Sequence, residues 1–293
     1  MEAPVVEDNS PTVRMRQLGM ELRRYREAAS KSQRDAADWL GYSSGGHTQI
    51  SKIERGQRPV RVDTVKALCQ LYGVTDPVTT EYLEGLARDS RQHGWWVEYG
   101  DTVPEWFGKL LGIETSATEV WTYESEYVPG LLQAEGYVRA IAAAATRSDA
   151  DRFSALRADR QKRLTDSNPL ILRAVLNEAV LCRRVGLPDV MHQQVRHIID
   201  IAALPNVTVQ VLPFSVGAHP AMSGPFSALR FPGTPTMDTV YLEFKGGAIY
   251  KEKPADVERY TTSFERLTDL ALDEEETLTY LENMERRYTE WYS

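Results

Sequence analysis

Residues 14 to 74 restrict the fold more than any other stretch, because four short amphipathic segments follow one another there with tight punctuation between them. "RMRQLGMELRRYREAA" sets Met15, Leu18, Leu22 and Tyr25 at helical spacing, with arginines on the opposite side. In "SKSQRDAADWLG", Ser32 and Asp35 have the spacing of a capping box, Ala36, Ala37 and Leu40 form an inner face, and Gly41 is a stop. The third segment starts near His47, turns Ile50 and Ile53 inward and ends at Gly56, with Pro59 soon after. The fourth, "DTVKALCQLYG", is expected to be capped by Asp63, to bury Val65, Leu68, Leu71 and Tyr72, and to stop at Gly73. Helices this short, with a brief turn between the second and third, suit a helix-turn-helix.

Charge points the same way. Between Arg14 and Arg61 there are eleven Lys or Arg against five Asp or Glu, a local +6 in a chain whose net charge is −8, so the remainder carries −14. Such asymmetry indicates a small basic module on an acidic body. In modules of this shape the third helix enters the major groove and offers its first residues to base edges. His47, Thr48 and Gln49 stand there, and the Gln amide can bond an adenine edge in bidentate fashion. Lys52 follows one turn on; Arg55, Arg58 and Arg61 suit phosphate contacts. Gln33 opens the second helix, where its amide and the free backbone N–H groups can meet a phosphate.

"LRRYREAASKSQRDAADWLG" followed by "ISKIERGQRPVRVDTVKALCQLYGV" resembles the XRE family of helix-turn-helix regulators, through Leu22, Ser32, Gln33, Ala37, Leu40, Gly41, Ile50, Ser51, Ile53, Glu54 and Gly56. The resemblance spans roughly residues 18 to 74. It implies an operator-binding head and adds Ser51 to the DNA-facing set. One departure is the segment "YSSGGHTQ", which puts eight residues between the Leu-Gly and Ile-Ser pairs where the family usually has about five. Glycine permits the backbone angles that a longer loop requires before the recognition helix begins, and His47 is placed either as a cap or as a base contact.

Beyond the head, "PVTTEYLEGLARDSRQHG" and "PEWFGKLLGIETSATEV" continue the helical period, with the tryptophan-bearing "WWVEYGDTV" as a packing junction between them. "VWTYES", "LILRAVL", "VTVQVLPF", "FSALRF", "TVYLEF" and "AIYKE" are strand candidates, interleaved with and followed by helical segments. The expected class is therefore α+β: an all-α helix-turn-helix head followed by a C-terminal domain with a mixed α/β sheet. The expected divisions are 1–13 as a disordered arm, 14–76 as the DNA-binding head, 77–103 as a connecting helix and junction, and 104–293 as a regulatory and dimerisation domain.

"GWWVEYGDTVPEWFGKLLGIETSATEVWTYESEYVPGLLQAEGYVRA", "LNEAVLCRRVG" and "NVTVQVLPFSVGAHPAMSGPFSALRF" resemble the C-terminal domain of WhiJ-type actinobacterial regulators. That resemblance implies a transcription factor, commonly encoded beside a small partner protein in an antitoxin-like arrangement; it implies no reaction and no ligand.

Enzyme chemistry finds little support. His192 and His197 lack an H-E-x-x-H pattern and read as surface histidines, and Glu178 and Glu243, read as strand residues, suit salt bridges. No catalytic residue, metal site or cofactor is expected. The most suggestive stretch in the body is "ESEYVPGLLQAEGY", where a strand is expected to turn through Pro129 and Gly130 into a helix N-terminus able to hold an anion. Tyr127, Pro129, Gly130 and Gln133, with His219 in the loop "SVGAHPAMSGPF", form the candidate surface for a ligand or partner. The last helix sets Leu278, Leu281, Met284 or Glu285, Tyr288 and Trp291 along one side, either as a homodimer contact or as monomer core. Cys69 and Cys182 lie too far apart in sequence for a disulfide framework and are expected as buried thiols; with no signal peptide and no membrane span, a cytoplasmic location is expected. The functional expectation is a sequence-specific DNA-binding regulator, a repressor, whose body dimerises and binds a small partner protein or ligand. The alternatives are an antitoxin-like scaffold that sequesters a small partner and an enzyme fused to a DNA-targeting head.

Overall fold

The computed structural model describes residues 10–43 and 45–290. The first nine residues of the expected arm, Ser44 of the long turn, and Trp291 lie outside the described residues. The chain forms two compact units, Met1–Val97 and Glu98–Ser293.

The first unit is all helix. α1 (Pro11–Ala28) is capped by Ser10, whose Oγ accepts from the Val13 N–H at 3.3 Å, so residues 11–13 belong to this helix and not to an arm. α2 (Gln33–Trp39) carries the expected capping box, with both the Ser32 and the Asp35 halves formed. α3 spans Gly46–Glu54. α4 (Val62–Tyr72) has Arg61 at its N-cap, so Asp63 is no cap; it sits in the first turn, where its negative charge meets the positive end of the helix. α5 (Pro77–Asp89) starts from an Asp76 cap and lays Leu83, Leu86 and Ala87 into the same core as Leu18, Leu22, Ile50, Ile53 and Leu68. The head therefore runs past residue 76: α5 has an apolar face that a connector in water would leave exposed.

The second unit begins with a 3-10 stretch that continues to Thr102 and with α6 (Glu105–Ser116). Its six-stranded sheet has the order β3-β2-β1-β4-β5-β6. β1 (Glu119–Glu124), β2 (Ile171–Asn177) and β3 (Val207–Leu212) pair in parallel; β4 (Phe226–Arg230), β5 (Thr239–Phe244) and β6 (Gly247–Lys251) continue antiparallel from β1. Parallel pairs need long crossovers. α7 (Glu135–Ala144) and α8 (Ala150–Gln161) supply the first, and the short α9 (Glu178–Cys182) with α10 (Pro188–Ala202) the second. α11 (Pro254–Leu270) and α12 (Glu274–Glu290) close the unit. One face of the sheet packs Trp121 flat on Phe264, with ring centroids 5.4 Å apart, beside Phe226 and Leu267. The helical head and mixed-sheet body are the expected α+β architecture.

Two expectations change here and one open alternative closes. Glu178 opens α9 and is not on a strand; it accepts hydrogen bonds from the Phe214 N–H at 2.6 Å and the Tyr280 hydroxyl at 3.0 Å. Cys69 is buried but Cys182 is exposed, because it ends that five-residue helix. The apolar side of α12 is core within the monomer: Leu281, Met284 and Tyr288 are buried, the Tyr288 hydroxyl donates to the Leu181 carbonyl at 2.6 Å, and Glu285 takes a fork of bonds from Arg196 on α10 at 2.8 and 2.7 Å. Leu278 alone of the described residues in that set stays exposed, so this side of α12 is not a free dimer face. No helix among the described residues is long and apolar enough to cross a membrane.

Candidate functional site

The polar face of α3 is built by the turn before it. α2 closes with the Tyr42 N–H donating to the Ala37 carbonyl at 2.9 Å, and the Gly46 N–H returns to the Ser43 carbonyl at 2.9 Å. Gly45 is the N-cap, with φ of 90°, a conformation that favours glycine. Gly46 is buried: a Cβ there would lie 2.5 Å from the Tyr42 Cβ and 3.0 Å from that of Ala37. The two glycines thus serve different ends, one the chain reversal and one the close approach of α3 to α2. His47 is the second helical residue and makes no capping bond.

From there α3 divides cleanly. Ile50, Ile53 and Glu54 are buried; His47, Thr48, Lys52 and Arg55 are exposed, and Gln49 and Ser51 are half-buried. Gln49 is held in place: its Oε1 accepts from the Arg58 guanidinium at 2.9 Å, which leaves its amide N–H groups as donors. Arg55 folds back to the Ser51 carbonyl at 3.2 Å. The structure brings eight of the nine DNA-facing candidates onto this helix and the loop after it, which ends at Arg61; the ninth, Gln33, lies on α2 and is engaged from beneath.

That engagement is a buried network. Glu54 accepts from Arg26 Nε at 2.5 Å, from Arg26 Nη2 at 3.0 Å and from Gln33 Nε2 at 2.8 Å, while Arg26 Nη1 donates to the Lys31 carbonyl at 2.8 Å. The hydrogen bond to Glu54 raises the Arg26 pKa above its ordinary value against the opposing effect of burial. One Gln33 N–H is therefore committed to orienting the amide, and the second remains for an outside acceptor.

In the body, the helix expected from Gly130 begins later. Gly130–Leu132 form a single 3-10 turn, and α7 starts at Glu135 behind an Ala134 N-cap. The Ala134 N–H is taken by Gln194 Oε1 at 2.8 Å, so the expected anion site at Pro129–Gly130 does not form as a helix end. Instead Tyr127, Pro129 and Gly130 line a cavity of about 50 Å³. Gln133 turns away, donating to the Val128 carbonyl at 2.6 Å, and borders a neighbouring groove of about 420 Å³ on α7, α8 and α10, which shares Arg157 with the cavity. His219 goes elsewhere: its Nδ1 accepts from the Ala221 N–H at 3.3 Å, which leaves Nε2 to donate to the Tyr123 hydroxyl, also at 3.3 Å.

The cavity holds charges that sequence reading did not assemble. Arg160 on α8 forks onto Glu114 on α6 at 2.8 and 2.6 Å. The Tyr241 hydroxyl donates to Glu243 at 2.7 Å. Beside these, Arg157 rests against the rings of Phe153 and Phe107, 4.8 and 5.3 Å from their centroids. Its Nε is buried without a hydrogen-bond partner, and so is Oε2 of Glu124. Burial, reinforced by Glu243 and eased by Arg157, pushes the Glu124 carboxyl up to about 8. Burial and then the charge of Arg160 bring Arg157 down to about 10. Gly130 is what makes the space: a Cβ there would run into the guanidinium groups of both arginines. The available signals were an acidic residue closing an apolar strand, in "VWTYE", and two arginines three apart in "ALRADR", each ordinary on its own. His197 is half-buried on the groove, its Nε2 without a partner and its pKa lowered by burial, and so is not the surface residue expected. Among the described residues no group of three or more His, Cys, Asp or Glu is gathered in a way that could hold a metal ion.

Comparison with known families agrees with this division. Residues 17–83 match the model of a helix-turn-helix domain. Residues 107–283 match the model of a domain of unknown function, DUF5753. No curated protein and no solved structure matched the chain.

Proposed function

This chain belongs to the DUF5753 family, and from that membership together with its helix-turn-helix head we propose that it is a sequence-specific repressor of XRE type whose body dimerises and receives a small partner protein or ligand. The observation that carries the reading is the face of α3: His47, Thr48, Lys52 and Arg55 exposed on one side, Ile50 and Ile53 buried on the other, with Gln49 held by Arg58. Base-reading donors and phosphate-binding cations stand on one exposed surface of a short helix locked from behind. One head of this kind reads a half-site, and two-fold operators call for two heads about 34 Å apart or a multiple of that. Dimerisation falls to surfaces of the body other than the packed side of α12. The −14 carried outside the basic stretch disfavours a second nucleic-acid site. Resemblance of the body to WhiJ-type regulators supports a small protein partner from a neighbouring gene.

The test is anisotropy titration against an operator selected from random duplexes. Thr48→Ala or Gln49→Ala is expected to cost about 1–3 kcal/mol on the operator and little on random DNA. Arg55→Ala is expected to weaken both alike. Unchanged operator affinity in all three variants removes the assignment, and light scattering that finds a monomer with and without DNA removes the dimer.

A further inference from the structure

The cavity in the body has two unlike walls. On one, the guanidinium groups of Arg157 and Arg160 converge on Gly130. On the other, Glu124 and Glu243 lie close enough to repel one another. Arg160 is neutralised by its fork onto Glu114, and Glu243 takes the Tyr241 hydroxyl. Arg157 and Glu124 are left over, each with a buried atom that has no hydrogen-bond partner. Both residues line the cavity, and an unmet donor and an unmet acceptor each carry a desolvation cost that an occupant met by a small turn of these side chains would relieve.

We infer that this cavity binds the head of a free α-amino acid, its carboxylate on Arg157 and its ammonium group between Glu124 and Glu243. The occupant must bring an acceptor and a donor together. A simple anion would satisfy Arg157 but set a further negative charge beside Glu243 and leave Glu124 unmet. A simple cation would satisfy the glutamates and leave the Arg157 Nε unmet. Adjacent groups of opposite charge meet both walls, and the zwitterion itself brings no net charge. Size agrees: about 50 Å³ is room for a few atoms, enough for ammonium, Cα and carboxylate. Ionic contact favours the ionised form of Glu124, so binding near neutral pH releases a proton to the solvent. The inference deepens the reading of the body as the part that receives a signal.

The experiment uses the full chain without DNA, so its failure leaves the operator-binding reading untouched. Each proteinogenic amino acid is screened by thermal shift at millimolar concentration, and calorimetry follows on any that raises the melting temperature. The expected result is saturable binding with proton release, seen as a heat that varies with the ionisation enthalpy of the buffer. N-acetylation or α-amidation of the same amino acid is expected to weaken binding at least about tenfold, because each removes one of the paired charges. Phosphate and methylammonium, which carry one charge each, are expected not to bind. Glu124→Gln, Arg157→Lys and Gly130→Ala are expected to lose binding, the last because the new methyl group occupies the space between the arginines. The inference is overturned if no amino acid shifts the melting temperature, if a derivative or single-charge probe binds as tightly as the zwitterion, or if binding survives all three substitutions. The derivatives are tested on the unaltered chain, so the result holds even where a variant fails to fold.

Discussion

Each half of the molecule contains a buried arginine–glutamate fork, and the two are finished differently. In the head, Arg26 and Glu54 join α1 to α3, the third Glu54 bond comes from Gln33 on α2, and the spare Arg26 nitrogen reaches the Lys31 carbonyl. In the body, Arg160 and Glu114 make an equally short fork, but a second arginine and a second glutamate stand beside it with unmet atoms. Among the described residues the head leaves one buried side-chain polar atom without a partner, the Tyr72 hydroxyl, while the body leaves five, four of them on residues that line the cavity or the groove. Buried polar groups left unmet cost stability, so their clustering at two depressions marks a place built for something other than rigidity. The head is a closed scaffold presenting a fixed exposed face. The body keeps polar capacity in reserve inside.

The largest expected effect tests this contrast directly. Arg26→Met leaves Glu54 buried without its cation and is expected to destabilise the head by about 3–5 kcal/mol. Arg160→Met is expected to cost less in the body, about 2 kcal/mol, since Arg157 lies within electrostatic reach of Glu114 and can turn to it. Hydrogen exchange reads the two separately, at core amides such as Leu22 and Ile53 for the head and Ala174 and Leu176 for the sheet. Equal losses would remove the distinction between a complete and an incomplete network.

A smaller effect is expected from pH. The folded body holds Glu124 protonated up to about 8, against an ordinary value of 4.5, in the company of Glu243, Arg157 and Tyr127. A carboxyl raised on folding contributes its full stability below its unfolded pKa and loses it as pH rises through the folded pKa. From pH 6 to 9 this amounts to about 3 kcal/mol of lost stability, read as a falling melting temperature of the sheet unit. Glu124→Gln is expected to flatten that slope. A slope that persists in the variant assigns the effect to another group.

Smallest is the cap of α2. Ser32→Ala removes both the hydrogen bond to the Asp35 N–H and the hydroxyl contact to its carboxylate, and is expected to cost about 1 kcal/mol. Because Gln33 follows directly, the loss is also expected to loosen the third bond to Glu54. Operator affinity that falls further than stability alone accounts for would show that the head's rigidity, as well as its exposed face, contributes to recognition.

The head was largely legible from its residues, since its information is local. Ser32 with Asp35, Gly41 and Gly73 after their helices, and the inward Ile50 and Ile53 act within a turn or two of themselves, and each is found where its spacing placed it. The failures there were equally local in scale: Arg61 and not Asp63 at the start of α4, and α5 inside the core, where an apolar stripe looks the same in a connector as in a packed helix. In the body, strand alternation located all six strands, but not their order, in which parallel β3-β2-β1 meets antiparallel β4-β5-β6.

What periodicity and capping determined by themselves was therefore which segments are helices and strands, which face of each is apolar, and that a basic helical head precedes an acidic mixed-sheet body. The tertiary structure alone decided which charged residues meet. Tyr127, Pro129 and Gly130 were marked by their turn chemistry, yet their importance comes from Arg157 and Arg160 on α8, Glu114 on α6, Glu124 at the end of β1 and Glu243 on β5, drawn together from distant positions in the chain. Secondary structure is governed by torsions and hydrogen bonds between near neighbours, which a sequence records in order. A buried charge cluster is governed by desolvation and Coulomb interaction between groups that only the folded sheet and its crossovers bring within reach.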